Sequence, residues 1–106
     1  MATTGLAQLR ESAKVRIVKG EPHPHGEVEV APDFGRVHFQ NEDEKEYVLR
    51  FWHPESAEKT GIDIVLRSLE TITIAIKKDD EFLYSVIGIG IGGDRVATGP
   101  GGPIKN

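Results

Sequence analysis

Apolar residues recur at every second position in several short stretches of this chain, and this alternation constrains the fold more than any other feature. The stretches are 15–17, 28–30, 37–39, 47–52, 62–66, 72–76 and 82–86. A period of two places one side of a segment on a core and the other side in water, which is typical of β-strands. Segments rich in turn-forming residues, such as GEPHPHG and KKDDE, separate the stretches at short intervals. This spacing favours a sandwich over alternating strands and helices.

The pattern therefore predicts an all-β, two-sheet antiparallel sandwich of about seven to eight strands. A chain of 106 residues has the size of one domain. We expect the sandwich to span 14–92, after a tail or helical turn at 1–13 and before a Gly/Pro-rich segment at 93–106. The inner faces are predicted to contain Ile17, Val28, Val37, Phe39, Leu49, Phe51, Ile64, Ile72, Ile74 and Tyr84.

Two connections carry their own signals. The acidic segment 42–46 lacks the ligand-and-glycine spacing of a calcium loop, so it is predicted to be a solvated hairpin tip. The segment HPESAEKTG is the longest internal connection. It is predicted to contain one helical turn that Gly61 ends, and to cross between the two sheets.

The apolar phase changes along the last predicted strand. Phe82 and Tyr84 share one face, whereas Ile87, Ile89 and Ile91 are apolar in the opposite phase. Because side chains alternate strictly along a strand, the change predicts either a bulge near residues 87–88 or a strand that passes from one sheet to the other. If the strand instead lay at an edge, these isoleucines would favour pairing between chains.

The order of the segments VHFQN, YVLRFW, TITIAI and FLYSV resembles that of a cupredoxin-like Greek-key sandwich, although an immunoglobulin-like sandwich is also compatible with it. The resemblance implies a first copper-ligating histidine in the loop after VHFQN, where this chain has Tyr47. It also implies a cysteine and further ligands near the end, but the chain has no cysteine, and neither histidine nor methionine follows Tyr84. The ligands of a type 1 copper site are therefore missing. We expect the fold without the copper centre, and no cofactor.

Composition narrows the classes of partner and compartment. A formal net charge of −4 disfavours nucleic acid and anionic membranes as partners. No stretch approaches the about 20 apolar residues of a membrane span, and the first residues lack the apolar core of a secretory signal. The chain is expected to be cytoplasmic, although a secreted protein after signal removal would have the same character.

Motifs for chemistry are weak. His23 and His25 lie in PHPHG, where they could bind a divalent metal together with His38 or His53; an exposed proline-flanked loop is the alternative. The glycines of GIGIGG match a dinucleotide-binding pattern, but the Gly/Pro-rich segment after them cannot supply the required helix. No nucleophile motif is present, so the chain is predicted not to be an enzyme.

Two functional hypotheses remain. The first is a non-catalytic binding or protein-interaction module with an unknown protein partner, or one that self-associates. Its candidate surface contains Val48, Trp52, His53 and Ile89, with Trp52 either making partner contacts or covering a second apolar layer. The second is a small-ligand or metal carrier that uses the histidine-containing loop.

Overall fold

Ten β-strands and one 3₁₀ turn, Glu58–Thr60, form the described part of the chain, which in this computed structural model comprises residues 12–30, 35–90 and 93–106. In chain order the strands are β1 (Ser12–Val18), β2 (Glu21–His23), β3 (Val28–Glu29), β4 (Gly35–Asn41), β5 (Tyr47–Trp52), β6 (Ile62–Leu66), β7 (Thr71–Ile76), β8 (Glu81–Ile89), β9 (Arg95–Pro100) and β10 (Ile104–Lys105). No described segment is a helix of membrane-spanning length and hydropathy.

The strands form two packed sheets, which confirms the predicted all-β sandwich. The smaller sheet has the order β2-β1-β4-β7, and the larger has the order β3-β10-β8-β5-β6. Strand β10 lies beside the start of β8, and β9 lies beside its second half. The Greek-key connectivity and the cupredoxin likeness stay predictions.

The sheets are mixed rather than purely antiparallel, in contrast to the sequence prediction. Strands β1 and β4 run parallel, as do β3 and β10. Parallel neighbours need a crossover connection between them. Here the chain leaves β1 through β2 and β3 before it returns as β4, and this detour supplies the crossover.

The core lies between the two sheets and contains the residues that the alternation predicts. Ile17, Val28, Val37, Phe39, Leu49, Phe51 and Tyr84 are buried, and Ile64, Ile72 and Ile74 are partly buried against them. Phe39 of the smaller sheet meets Tyr84 and Phe51 of the larger one edge to face, with ring centroids 5.1 and 5.5 Å apart. Such aromatic pairs add about 1 kcal/mol each to the free energy gained by burial.

Two connections differ from their predictions. The segment 53–61 contains the predicted helical turn, which is a 3₁₀ turn before Gly61, but the segment joins β5 to its antiparallel neighbour β6 in the same sheet and does not cross between sheets. The acidic segment 42–46 joins β4 of the smaller sheet to β5 of the larger one, so it is a crossover and not a hairpin tip. The composition of both segments correctly predicted a connection between strands. The sheet that each flanking strand joins depends on contacts between residues that are distant in sequence, which composition does not show.

Strand β8 stays in one sheet. Its register with β5 is continuous from Leu83 to Gly88, and it has neighbours on both sides, so it neither changes sheet nor forms an edge. The predicted passage of this strand from one sheet to the other is therefore wrong, and so is its predicted position at an edge. Ile87 and Ile89 do lie on the face opposite Tyr84, as predicted, with 5% and 38% of their surface exposed. Ile91 lies outside the described residues.

The irregularity predicted near residues 87–88 occurs between Val86 and Ile87, but the extra residue belongs to the neighbouring strand. Val86 pairs with Gly99 and Ile87 pairs with Ala97, which leaves Thr98 of β9 as the bulged residue. A bulge in the partner strand is not visible in the sequence of β8 itself.

The segment 93–106 continues the larger sheet, because β9 and β10 both pair with β8. The sandwich therefore extends beyond the expected boundary at residue 92. The high glycine content of the segment 93–106 allows its backbone to approach the core closely. A Cβ atom built on Gly101 would lie 2.4 Å from the ring of Tyr84. The tail or helical turn predicted at 1–13 lies outside the described residues except for Ser12 and Ala13, which belong to strand β1.

Candidate functional site

Four connections meet at one end of the sandwich, which we call the loop end. They are the β1–β2 turn (19–20), the β4–β5 crossover (42–46), the β6–β7 connection (67–70) and the described residues of the β8–β9 connection (90 and 93–94). Asp43 links three of them, because its side chain accepts hydrogen bonds from the β1–β2 turn and its carbonyl oxygen accepts one from Leu69 at 3.2 Å. Loops on a rigid scaffold are where binding residues concentrate.

The β1–β2 turn depends on Asp43. Val18 pairs with Glu21, so Lys19 and Gly20 form a two-residue loop, and their φ angles are 54° and 78°. Positive φ at both positions defines the type I′ hairpin turn, which suits glycine but is unfavourable for lysine. The Asp43 carboxylate accepts both backbone N–H groups, at 2.9 and 3.0 Å. These two bonds offset the strain at Lys19.

Asn41 holds the crossover in place from the buried end of β4. Its Nδ2 donates to the carbonyl oxygens of Lys45 and Arg67 at 2.6 and 3.0 Å, and its Oδ1 accepts the backbone N–H of Asp43 at 2.9 Å. The side chain has no exposed surface, so every one of these bonds replaces a bond to water. A buried polar residue of this kind stabilises one loop conformation because leaving its partners unpaired is costly.

Tyr47 begins β5 and completes the network. Its hydroxyl donates to Asp43 Oδ2 at 2.6 Å. Burial and the hydrogen bond to Asp43 raise the pKa of Tyr47 to about 12. Burial alone would raise the pKa of Asp43, but the bonds from Tyr47 and from the turn outweigh it, so the pKa of Asp43 is lowered. The pair is therefore held as a neutral phenol and a carboxylate.

A groove of about 840 Å³ opens beside this network. Tyr47, Gly88 and Thr98 line it together with the exposed side chains of Ile89 and Val96, and Lys19, Glu42, Glu44 and Lys45 supply charges of both signs. The volume is in the range of small-molecule sites. Asp43, Tyr47 and Thr98, however, already bond to one another or to the β1–β2 turn, and the remaining charges are of both signs, so the groove does not favour one ligand class.

The residues of the predicted interaction surface do not form one patch. Val48 has no exposed surface, so a partner cannot reach its side chain in this conformation. Trp52 and His53 are half-exposed at the end opposite the loop end, where His53 Nδ1 lies 3.6 Å from Asp80 Oδ1. Ile89 lies at the loop end, six positions along β8 from the partner of Trp52 and so roughly 20 Å away.

The histidines are only partly brought together. The rings of His23 and His25 have centroids 4.8 Å apart. His38 lies across β1 from His23, with Arg16 of β1 beside His23, and His53 follows β5 in the other sheet. Within residues 12–30, 35–90 and 93–106, no three His, Asp or Glu side chains gather in a way that would hold a metal ion.

The most exposed apolar surface on a strand lies elsewhere, on β6. This strand pairs with β5 on one side and ends the larger sheet on the other, within the part of the chain that the structure describes. Ile62 is 70% exposed and Val65 is 48% exposed. Ile62 and Val65 point to opposite faces of the sheet, so this edge is apolar on both sides. We refer to residues 62–66 as the β6 edge.

Sequence reasoning missed Asn41, Asp43 and the β6 edge. Asn41 did carry a signal, because it continues the apolar phase of Val37 and Phe39 and so had to point inwards. Asp43 carried none that distinguishes it from its acidic neighbours. For the β6 edge, the absence of Lys, Pro and Gly from IDIVL was visible, but its position at the end of a sheet was not.

Comparison with family models, with curated proteins and with solved structures gives no match. The cupredoxin likeness of VHFQN and FLYSV therefore has no support beyond the sandwich fold. Function must be inferred from the surfaces of this chain.

Proposed function

We propose that this chain is a non-catalytic protein-interaction module that binds an extended strand of its partner along the β6 edge. The observation that carries the proposal is the exposure of Ile62 and Val65, at 70% and 48%, on the strand that ends the larger sheet as formed by residues 12–30, 35–90 and 93–106. An edge strand presents unpaired N–H and C=O groups that can accept another strand, and exposed apolar side chains add contact area and specificity.

The charge on the β6 edge supports this role. Asp63 is its single ionisable residue. The carboxylate accepts two bonds from Arg50, at 2.7 and 2.9 Å, and one from Arg95 at 3.2 Å. The hydrogen bonds from Arg50 and the positive charges of both arginines lower the pKa of Asp63. A charge on an edge strand normally discourages strand addition, but here the carboxylate is already engaged on one face of its own sheet.

The other edges are less suited to strand addition. Strand β2 contains Pro22, which has no N–H to donate, and β3 has two residues. Strand β9 begins with Arg95 and ends with Pro100, and β7 exposes only Thr71, Thr73 and Ala75, which offer a partner less apolar area than Ile62 and Val65. Prolines, short strands and charges are common protections of sheet edges. Strand β6 contains no proline, is not unusually short, and has its single charge paired. It is therefore the edge best suited to a partner.

The loop end supports the non-catalytic part of the proposal. A general base there would need a carboxylate with a raised pKa, and a tyrosine nucleophile would need a lowered one. The shifts of Asp43 and Tyr47 have the opposite directions. Their hydrogen bond stabilises the loops and prepares neither group for proton transfer.

Strand addition can be tested by nuclear magnetic resonance with a library of seven-residue peptides rich in Val, Ile and Thr. We expect the binding peptides to shift the backbone amides of 62–66, and Val65→Lys to weaken their binding. Ala75→Lys, which places the same charge on the edge strand β7, is the matched control. Shifts confined to other strands or to the loop end, or the absence of any binder, would refute the proposal.

A second candidate function, a metal carrier, is favoured by the 4.8 Å approach of the His23 and His25 rings. Two imidazoles leave a zinc ion short of its usual ligands, and the nearby Arg16 disfavours a cation. Zinc titration by calorimetry tests this function, with His25→Ala as the informative variant and His38→Ala as the control. Equal binding by both variants would exclude the histidine loop as the site.

A further inference from the structure

We propose that the strand bound by the β6 edge is β6 of a second copy of this chain, paired antiparallel about a twofold axis that passes Val65. This inference rests on the proposed function and names its partner. The two larger sheets would then join into one continuous sheet across the dimer, with the β6 strands side by side at its centre.

The register follows from which side chains would face one another. With Val65 on the axis, Val65 lies opposite Val65 of the second copy, and Ile64 lies opposite Leu66. Asp63 then lies opposite Arg67 of the second copy, whose side chain is exposed directly after β6. The carboxylate has about four acceptor sites, of which Arg50 and Arg95 occupy three, so it can accept Arg67 as well. Apolar pairs and opposite-charge pairs placed directly across an antiparallel ladder are the stabilising combinations. The symmetry produces each of the off-axis pairs twice.

The neighbouring register is less favourable. With Ile64 on the axis, Asp63 would lie opposite Val65 of the second copy, and Arg67 would lie opposite Gly61. No pair of opposite charges would then be directly across the ladder. The half-exposed Val65 would be covered by a carboxylate instead of by an apolar side chain. Charge complementarity therefore selects the register with Val65 on the axis.

Single cysteines test the register, because the chain contains no cysteine of its own. We expect Val65→Cys to form a disulfide-linked dimer under mild oxidation, since a residue on the axis meets its own copy within about 5.5 Å between Cα atoms. Ile64→Cys is the control. Its two copies would be offset by two positions, about 8 Å apart, which is too far for a disulfide. Cross-linking of Ile64→Cys but not of Val65→Cys would overturn the proposed register.

Charged side chains introduced at Val65, on the axis, test the pairing without oxidation. Val65→Lys places two like charges opposite each other, and so does Val65→Glu; we expect each variant to raise the dimer dissociation constant about tenfold or more. An equimolar mixture of the two should recover a heterodimer, because Lys and Glu then meet at the axis. Analytical ultracentrifugation measures all three samples, with Ala75→Lys as the control that keeps the wild-type dimer.

The outcomes separate this inference from the proposed function. A wild-type chain that stays monomeric at every accessible concentration overturns the second copy as partner, and so does a mixture that fails to recover the dimer. If peptides still bind at 62–66 in the same samples, the strand-addition function stands with a different partner. If the dimer forms but Val65→Lys leaves it unchanged, the dimer uses another surface and this inference fails, whereas the proposed function fails only if no peptide shifts the amides of 62–66.

Discussion

The hydroxyl of Tyr47 donates a hydrogen bond to Asp43 Oδ2 at 2.6 Å, and this contact joins the first residue of β5 to the loop that precedes it. The same carboxylate accepts the two N–H groups of the Lys19–Gly20 turn. One side chain therefore connects the two sheets at the loop end. Because these bonds are partly buried, their loss should be measurable as a change in the free energy of unfolding.

Removal of the hydroxyl group should affect the free energy of unfolding differently at the two tyrosines. Tyr47→Phe removes a bond to a carboxylate and should lower the free energy of unfolding by about 1.5 kcal/mol. The hydroxyl of Tyr84 is buried with no hydrogen-bond partner in the described structure, so Tyr84→Phe should leave stability unchanged or raise it. Urea denaturation measures both. Equal losses in the two variants would contradict the assigned roles.

Asp43 should make stability depend on acid pH. Its pKa is lowered in the folded state, so the folded protein binds fewer protons there than the unfolded chain. The stabilisation is complete above the unfolded pKa of about 3.9 and is lost as pH falls through the folded pKa. Asp43→Asn should lower the free energy of unfolding at pH 7 by about 2 kcal/mol. It should also flatten the acid limb of the stability profile, and an unchanged limb would assign that dependence to other carboxylates.

The phenol groups of both tyrosines should lose their protons only well above the usual pH. The pKa of Tyr47 and that of Tyr84 are both raised to about 12, in each case chiefly by burial. Their raised folded pKa stabilises the fold fully below the unfolded value of about 10 and less as pH rises towards 12. These are the only tyrosines in the chain, so tyrosinate absorbance reports them alone. We expect little tyrosinate at pH 10.5 in the folded protein, whereas a midpoint near 10 would show exposed phenols.

Asn41 should be the most costly polar residue to remove. Asn41→Ala leaves the Asp43 N–H and the carbonyl oxygen of Lys45 without their partner and removes one of the two bonds to the carbonyl oxygen of Arg67, and we expect a loss of about 3 kcal/mol. Gln40→Ala, at the half-exposed neighbouring position, should cost less than about 0.5 kcal/mol. Thermal and urea unfolding of the two variants compare them directly. Similar losses would mean that the crossover does not depend on the Asn41 side chain.

Gly101 should not tolerate a side chain. A Cβ atom there would lie 2.4 Å from the Tyr84 ring, whereas one on Gly90 would have its nearest contact at 3.4 Å. We expect Gly101→Ala to lower the free energy of unfolding by about 2 kcal/mol through overpacking, and Gly90→Ala to have a small effect. If Gly101→Ala is as stable as the wild type, the C-terminal segment does not pack on Tyr84 in solution.

The alternation of apolar residues was sufficient to predict the main side chains of the core between the sheets, but it predicted neither the burial of Val48 on the outer face nor the exposure of Ile62 in the inward phase. Phe39, Phe51 and Tyr84 occur in the inward phase of three separate strands, and they meet in the core as expected. The reason is local: successive side chains point to opposite faces, so the phase of a strand is set by its own residues. The same reasoning places Ile87 and Ile89 on the outer face of β8, although it cannot show that the bulged residue, Thr98, belongs to the neighbouring strand.

Which strands are neighbours was decided only by the tertiary structure. The parallel pairing of β1 with β4, the inclusion of β9 and β10 in the larger sheet, and the terminal position of β6 all join segments distant in the chain. Alternation carries no information about which strands pair, because the inward apolar face of one strand can pack beside or against that of any other strand. The role of Asp43 depends in the same way on a turn far from it in sequence. Local chemistry therefore determined which face of each strand points to the core, because alternation is a property of the strand itself, and long-range packing determined which edge and which loops remain available to a partner.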